Sequence, residues 1–135
     1  MSEIKLLSVF VENKIGTFSK VIETLAEKQL SVRWFKIIDG SENQFGVMRL
    51  LVDNPEDAVE ILKRNKLMVS TVNAVTVEIE DKVGALAQIA STLKTNGISV
   101  RNGSGYVLNG KTYLLLELDE QAKAITILKE NGYRI

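Results

Sequence analysis

The chain has 135 residues, with 17 Lys+Arg balanced by 17 Asp+Glu and neither cysteine nor histidine. Zero formal charge leaves no cationic surplus for a phosphate backbone, which argues against nucleic acid as a partner. Without Cys or His there is no thiolate nucleophile, imidazole base, disulfide or soft-ligand metal site, although a carboxylate-only magnesium or calcium site stays open.

In chain order, Ile4–Val11 is rich in branched and aromatic residues and predicts a strand, broken by Gly16. Phe18, Val21, Ile22 and Leu25 recur at three- and four-residue steps and predict a helix ending near Gln29. Ser31–Ile38 is a strand, Asp39-Gly40-Ser41 a turn, and Phe45–Val52 a further strand. Asn54 and Pro55 suit the cap and first turn of a second helix that sends Val59, Leu62 and Ala58 inward. Met68–Val72 closes this half as a short strand. The remainder repeats the series. Val75–Ile79 is a strand, Ala85–Asn96 a helix, and Ile98–Val107 a strand interrupted at Gly103 and Gly105. Asn109-Gly110 is a hairpin signal, Lys111–Leu118 a strand, Glu120–Asn131 a helix, and Tyr133–Ile135 the end.

The repetition extends to identity. A shift of 68 lays Asn13–Arg33 on Asp81–Arg101 with seven of 21 positions identical, among them Gly16/Gly84, Ser31/Ser99 and Arg33/Arg101. A shift of 66 then lays Ala58–Asn65 on Ala124–Asn131 and Asp53 on Asp119, two residues having been lost between. Two unrelated helices with a shared apolar stripe would not hold Gly, Thr, Ser and Arg in register, so the chain is an internal duplication. Residues 1–72 and 73–135 are the expected domains, joined near Asn73. The order strand-helix-strand-strand-helix-strand, twice over, is that of α+β ferredoxin-like units: antiparallel sheets lying side by side, with helices on one face. In Ile4–Val11 and Phe45–Val52 both strand faces are apolar, which predicts a covered helix-free face and a homodimer through it.

Catalysis has little to build on. Glu23 and Glu27 share a polar helix face, Asp53, Glu56 and Asp57 crowd a helix start, and Glu78 and Glu80 lack a third metal-spaced group. No enzyme, metal or cofactor is expected. The loops Glu12–Phe18 and Glu80–Leu86 offer more, because each sets a glycine where a strand turns into a helix. Amides at a helix start can receive a carboxylate, and Asn13 adds an amide that both donates and accepts, so a zwitterion suits the place. A tight helix cap explains the same glycines. Arg33 and Arg101 fit a cross-strand charge pair or a carboxylate, and Trp34 and Phe35 point to opposite strand faces.

The duplicated order, with Asn-Lys-Ile-Gly-Thr-Phe and Asp-Lys-Val-Gly-Ala-Leu at matching loops, resembles tandem ACT domain proteins, whose pattern there is Asp-x-Pro-Gly-x-Leu. The resemblance covers essentially the whole chain, although Ile15 and Val83 stand where proline is usual. It implies allosteric regulation through a small molecule, usually an amino acid, held between the loop of one unit and the start of the second strand of a neighbour. Carried over, the ligand-binding positions are Asn13, Lys14, Ile15, Gly16, Thr17 and Phe18 with Ser31 and Val32. In the second copy they are Asp81, Lys82, Val83, Gly84, Ala85 and Leu86 with Ser99 and Val100. Output would pass to a regulated enzyme or transcription factor. A dimerising scaffold without ligand and a single-stranded RNA binder (Val9-Phe10-Val11 and Phe45-Gly46 echo that motif) are the alternatives. The N-terminal Met1-Ser2-Glu3-Ile4-Lys5 lacks a leader pattern and no apolar run reaches a membrane span, so a cytoplasmic location without membrane contact is expected.

Overall fold

A computed structural model describes residues 3–12, 14–40 and 45–135. Ten elements follow in order: β1 (Glu3–Glu12), α1 (Thr17–Glu27), β2 (Val32–Asp39), β3 (Phe45–Val52), α2 (Pro55–Arg64), β4 (Met68–Glu80), α3 (Ala85–Thr95), β5 (Val100–Leu108), β6 (Lys111–Leu118) and α4 (Gln121–Glu130). The two strands expected over Met68–Val72 and Val75–Ile79 are one strand of 13 residues. Nothing between them is Gly or Pro, so no residue there breaks the extended backbone. Asp39, expected in a turn, still belongs to β2, while Ser41 lies outside the described residues.

The chain divides into two compact units, Lys5–Val72 and, with Glu3 and Ile4, Asn73–Ile135. In the first unit the strand order is β2-β3-β1-β4, with β3 antiparallel to both β1 and β2. Alternation sends Leu7, Val9 and Val11 of β1 and Met48, Leu50 and Val52 of β3 to one face. There they meet Val21 and Leu25 of α1 and Ala58 and Leu62 of α2, so both helices cover that face. Ala58 and Leu62 are wholly buried, while Val59 is only partly so. The second unit builds the same core from Val75, Val77 and Ile79, Leu114, Leu116 and Leu118, Ile89 and Leu93, and Ala124 and Leu128. Its strand order is β4-β6-β5, closed by a single bridge between Glu78 and Arg134. Each wholly buried Leu contributes about 1.5–3 kcal/mol through removal of apolar surface from water.

All four helices stop in the same way. Leu30, Leu67, Ile98 and Tyr133 donate their amides back to the carbonyls of Leu25, Leu62, Leu93 and Leu128, over 2.9–3.1 Å. One residue earlier the chain turns left-handed, at Gln29, Lys66, Gly97 and Gly132. This termination satisfies the last carbonyls and folds an apolar residue back over a buried leucine. The helix starts differ. Asn54 accepts from the amide of Asp57 at 3.3 Å ahead of Pro55, as the sequence predicts, whereas α1 and α3 begin at glycines.

Candidate functional site

In the first unit β1 ends at Glu12, and Gly16 takes φ 90° and ψ −7° immediately before α1. An L side chain is strained there by roughly 1–2 kcal/mol, which explains the glycine without invoking a ligand. No neighbouring atom lies within 4 Å of where its Cβ would be, so the place is open as well as bent. Asn13 lies outside the described residues. Lys14 donates its amide to Glu12 at 3.0 Å and pairs its ammonium with the Glu12 carboxylate at 3.0 Å, an exposed contact of little energetic weight. Ile15 is fully exposed. Thr17 donates its amide to the Lys14 carbonyl at 3.3 Å, but its Oγ1 is buried without a hydrogen-bond partner among the described residues. A buried hydroxyl left in that state costs about 1–3 kcal/mol.

Beside Thr17 opens a cleft of about 170 Å³ whose walls are Val11, Phe18, Ile37, Ile38 and Met48, with Glu12, Lys14 and Asp39 also lining it. Phe18 leans on Phe35 with ring centroids 5.3 Å apart, which props the wall. Gly46 lines the floor, where a Cβ would stand 2.8 Å from the Ile38 carbonyl oxygen, so only glycine lets β2 and β3 approach as they do.

The second unit keeps the bend and changes the surroundings. Gly84 takes φ 91°, Val83 is fully exposed, and Ala85, in the place of Thr17, is buried. Asp81 donates its amide to Gly110 at 3.2 Å, and Ala85 donates to Lys82 at 3.2 Å. The cleft here, about 300 Å³, lies toward the C-terminal residues and is lined by Glu78, Glu80, Lys82, Lys111, Tyr133 and Arg134, with Gln88 and Ala85. Lys111 donates to Glu80 at 2.7 Å, and Arg134 pairs with Glu78 at 3.3 Å. The hydrogen bond and then the charge of Lys111 hold the Glu80 carboxyl below its ordinary value, and the same contacts raise the Lys111 ammonium above its own. The Tyr133 hydroxyl is buried without a hydrogen-bond partner among the described residues. Leu86 and Val100 are exposed. Clefts for small molecules commonly span about 300–1,000 Å³; the second stands at that lower bound and the first falls below it, so neither is of nucleotide size.

Ser31, Val32, Ser99 and Val100 lie elsewhere. Phe45 pairs with Glu12 at one end of β3, and Val52 pairs with Val32 at the other, roughly 23 Å away at about 3.3 Å per residue. Within one unit the loop and the start of the second strand therefore cannot touch one small ligand. The serines are tied instead: Asp53 accepts from the Ser31 amide at 3.0 Å, and Asp119 from the Ser99 amide at 2.7 Å. Arg33 and Arg101 fall at a register shift in β2 and β5, exposed and without an ion pair among the described residues. Gly103 and Gly105, which the sequence allows as a bulge or as a place of close approach, pair regularly with Leu116 and Leu114. Trp34 is partly exposed and Phe35 more so, so neither is fully buried. The lining of Ile37, Ile38 and Met48, and of Tyr133 and Arg134, escaped the sequence reading; strand pairing is the signal that would have found it. Among the described residues no group of carboxylates is arranged to hold a metal, and no helix is long and apolar enough to cross a membrane.

A family profile for the ACT domain pair matches residues 2–134. No curated protein matches the sequence. Among solved structures, protein BT0572 from Bacteroides thetaiotaomicron is similar at 27% identity and a TM-score of 0.90, over 98% of this chain and 90% of that one. The ligand-free regulatory subunit of aspartate kinase from Thermus thermophilus shares 14% identity at a TM-score of 0.65, over 98% and 94%. That from Thermus flavus shares 16% at 0.66, over 96% and 92%. The last two likenesses are of fold alone.

Proposed function

The chain belongs to the ACT domain pair family, and from that premise we propose that it is a non-catalytic regulatory protein whose first unit binds a free amino acid with an apolar side chain. ACT domains are regulatory modules that typically bind small ligands such as amino acids. One observation carries the reading: the buried, unpartnered hydroxyl of Thr17, on the first turn of a helix begun by an open glycine, beside a cleft with walls of Val11, Phe18, Ile37 and Met48. Glycine brings no side chain to cap the first turn, so a carboxylate can take the amides that follow Thr17, whose own amide returns to Lys14, together with the Thr17 hydroxyl. The ligand's side chain then displaces water from the apolar wall. Lys14 borders the same opening, and Val83 and Gly84 repeat the bend in the second unit.

The signal leaves through assembly or partner contact. Phe10 and Phe45, stacked at 5.0 Å and both more than 40% exposed, alternate with the core residues of β1 and β3 and so lie on the helix-free side. They support a homodimer through that side; a regulated enzyme or transcription factor as the next partner and a cytoplasmic setting belong to the same proposal. Calorimetry against the twenty amino acids tests the reading. Leucine, isoleucine, valine, methionine or phenylalanine should bind, Thr17→Ala should weaken binding about five- to twentyfold, and Ile37→Asp should abolish it. Sedimentation with and without the ligand should then differ. Silence from all twenty would leave a dimerising scaffold instead.

A further inference from the structure

The dipeptide Asn-Gly occurs four times, at Asn96-Gly97, Asn102-Gly103, Asn109-Gly110 and Asn131-Gly132, always in the second unit. Such a pair is chemically fragile, because glycine has no side chain to shield its amide nitrogen from the carboxamide carbon just before it. The fold protects three of the four. At the ends of α3 and α4 the Asn96 and Asn131 side chains donate to the carbonyls of Thr92 and Ile127, both at 2.8 Å. The amides that follow are also held, Gly97 by the Lys94 carbonyl and Gly132 by the Lys129 carbonyl, both at 3.0 Å. Asn102 lies part-buried opposite Glu117 in the β5–β6 ladder, and it and Gly103 are both engaged. Asn109-Gly110 stands apart. It forms the turn between β5 and β6, with φ 51° and 78°, and both residues are exposed. Neither the Asn109 side chain nor the Gly110 amide has a hydrogen-bond partner among the described residues, and nothing lies within 4 Å of where a Gly110 Cβ would stand. The Gly110 carbonyl, by contrast, accepts from the Asp81 amide at 3.2 Å, which ties the tip to the loop before α3.

We propose that Asn109 is a site of spontaneous deamidation, and that its conversion loosens the loop leading to Gly84. The Gly110 amide nitrogen gives up its proton to water or hydroxide and bonds to the Asn109 Cγ. Ammonia leaves from Cγ, and a succinimide ring remains. Water then adds to one of the two ring carbonyls and opens the ring, giving aspartate by one route and isoaspartate by the other. The balance is one water consumed and one ammonia released. Ring closure requires the turn to swing open, and exposed loop tips are where local opening costs least. Either product adds a negative charge to a chain of zero formal charge. Isoaspartate also routes the main chain through the side-chain methylene, which lengthens the turn by one carbon, and a tight hairpin turn has no slack for it. Gly110 must then move, and the Asp81 amide loses its acceptor. The proposal is independent of what either glycine bend binds, since Asn109 lines neither cleft.

Peptide mass mapping of the full chain, aged in mildly alkaline buffer, decides it. The peptide with Asn109 should gain the deamidation mass about tenfold or more faster than those with Asn96, Asn102 and Asn131, and partly as isoaspartate. In concentrated urea all four pairs are exposed alike, so their rates should come together. Equal rates in the folded protein, or a lead for any of the other three, would overturn the proposal. So would a lead for Asn109 that is as large in urea, because local sequence and not the fold would then explain it. Hydrogen exchange reads the consequence: the Asp81 amide of the aged protein should exchange about fivefold or more faster than that of the fresh protein. Asn109→Gly keeps residues suited to the turn and has no carboxamide to react, so its Asp81 amide should not change on ageing. Asn109→Asp supplies the charge without the extra carbon, and its Asp81 amide should stay close to the fresh parent's. Loosening in Asn109→Asp equal to that of the aged protein, or Asp81 protection unchanged once isoaspartate has formed, would overturn the link between this turn and the loop.

Discussion

The two halves of the chain keep one backbone and diverge in what hangs from it. Both bend through an open glycine before their first helix, at Gly16 and Gly84, and both tie the start of the second strand to an aspartate, Asp53 or Asp119. Both carry an arginine at the same irregularity of strand register. The glycine bends and the aspartate ties answer demands of main-chain geometry, which a duplicated fold cannot relax on one side only. The walls of the clefts obey no such demand. Where the first half has Thr17, Phe18, Phe35 and Ile37, the second has Ala85, Leu86, Gly103 and Gly105. Leu114 and Leu116 lean into the room those glycines leave, 2.7 and 3.1 Å from where their Cβ atoms would be. The contrast separates positions constrained by folding from positions released for recognition.

The strongest way to break the equivalence of the halves is through their cores. Leu62 and Leu128 occupy matching places and are both wholly buried. Leu62→Ala and Leu128→Ala should each cost about 2–5 kcal/mol in urea unfolding. A cost under about 1 kcal/mol at either would show that the halves are not packed alike.

The glycine bends give a smaller and cleaner comparison. With nothing within 4 Å of either Cβ position, Gly16→Ala and Gly84→Ala meet no clash and incur only the backbone strain of an L residue at φ near +90°. Each should destabilise by about 1–2 kcal/mol, and by the same amount in both halves. Unequal losses would mean that one loop relaxes where the other cannot.

Helix ends sharpen the picture in the opposite direction. The second half ends its helices at Gly97 and Gly132, while the first places Gln29 and Lys66 in the same left-handed conformation. Gln29→Gly and Lys66→Gly should therefore stabilise the protein by about 0.5–1 kcal/mol each, the relief of strain exceeding the added freedom of the unfolded chain. Thermal midpoints that fall in both variants would show that side-chain packing, not backbone strain, governs these ends.

The smallest effect is electrostatic and belongs to the second half alone. Glu80 is depressed below its ordinary 4.5 by Lys111, so its contribution is present above that value and fades as pH falls through the lowered one. Lys111 is raised above its ordinary 10.5, so its contribution is full below that value and fades as pH rises through the raised one. Stability from this pair should be level between those limits and decline slightly outside them. Lys111→Met should flatten both edges, and a variant whose pH profile matches the parent's would remove the pair from consideration.

Much of this architecture was legible beforehand because it is written in local chemistry. Asn54-Pro55 announced the start of α2, Asn109-Gly110 the hairpin with two positive φ angles, and the three- and four-residue spacing of Val21 and Leu25 a buried helix stripe. The glycine loops were legible as bends for the same reason, since few residues but glycine accept φ near 90°. What the linear order alone could not supply was company. Ile37 and Met48 reach Thr17 only because β2 and β3 pair in a particular register, and Tyr133 joins Lys82 only because α4 turns the chain back at Gly132.

The amino-acid sequence by itself determined the duplication, which is a matter of residue identity along the chain, and the order of elements, the core stripes and the two strained bends, each of which depends on residues close together in the chain. Which side chains face each cleft, which acids are already paired and which hydroxyls lack a partner were decided by tertiary structure alone. Those properties depend on strand register and helix return, which bring together residues dozens of positions apart through backbone hydrogen bonds and shared burial.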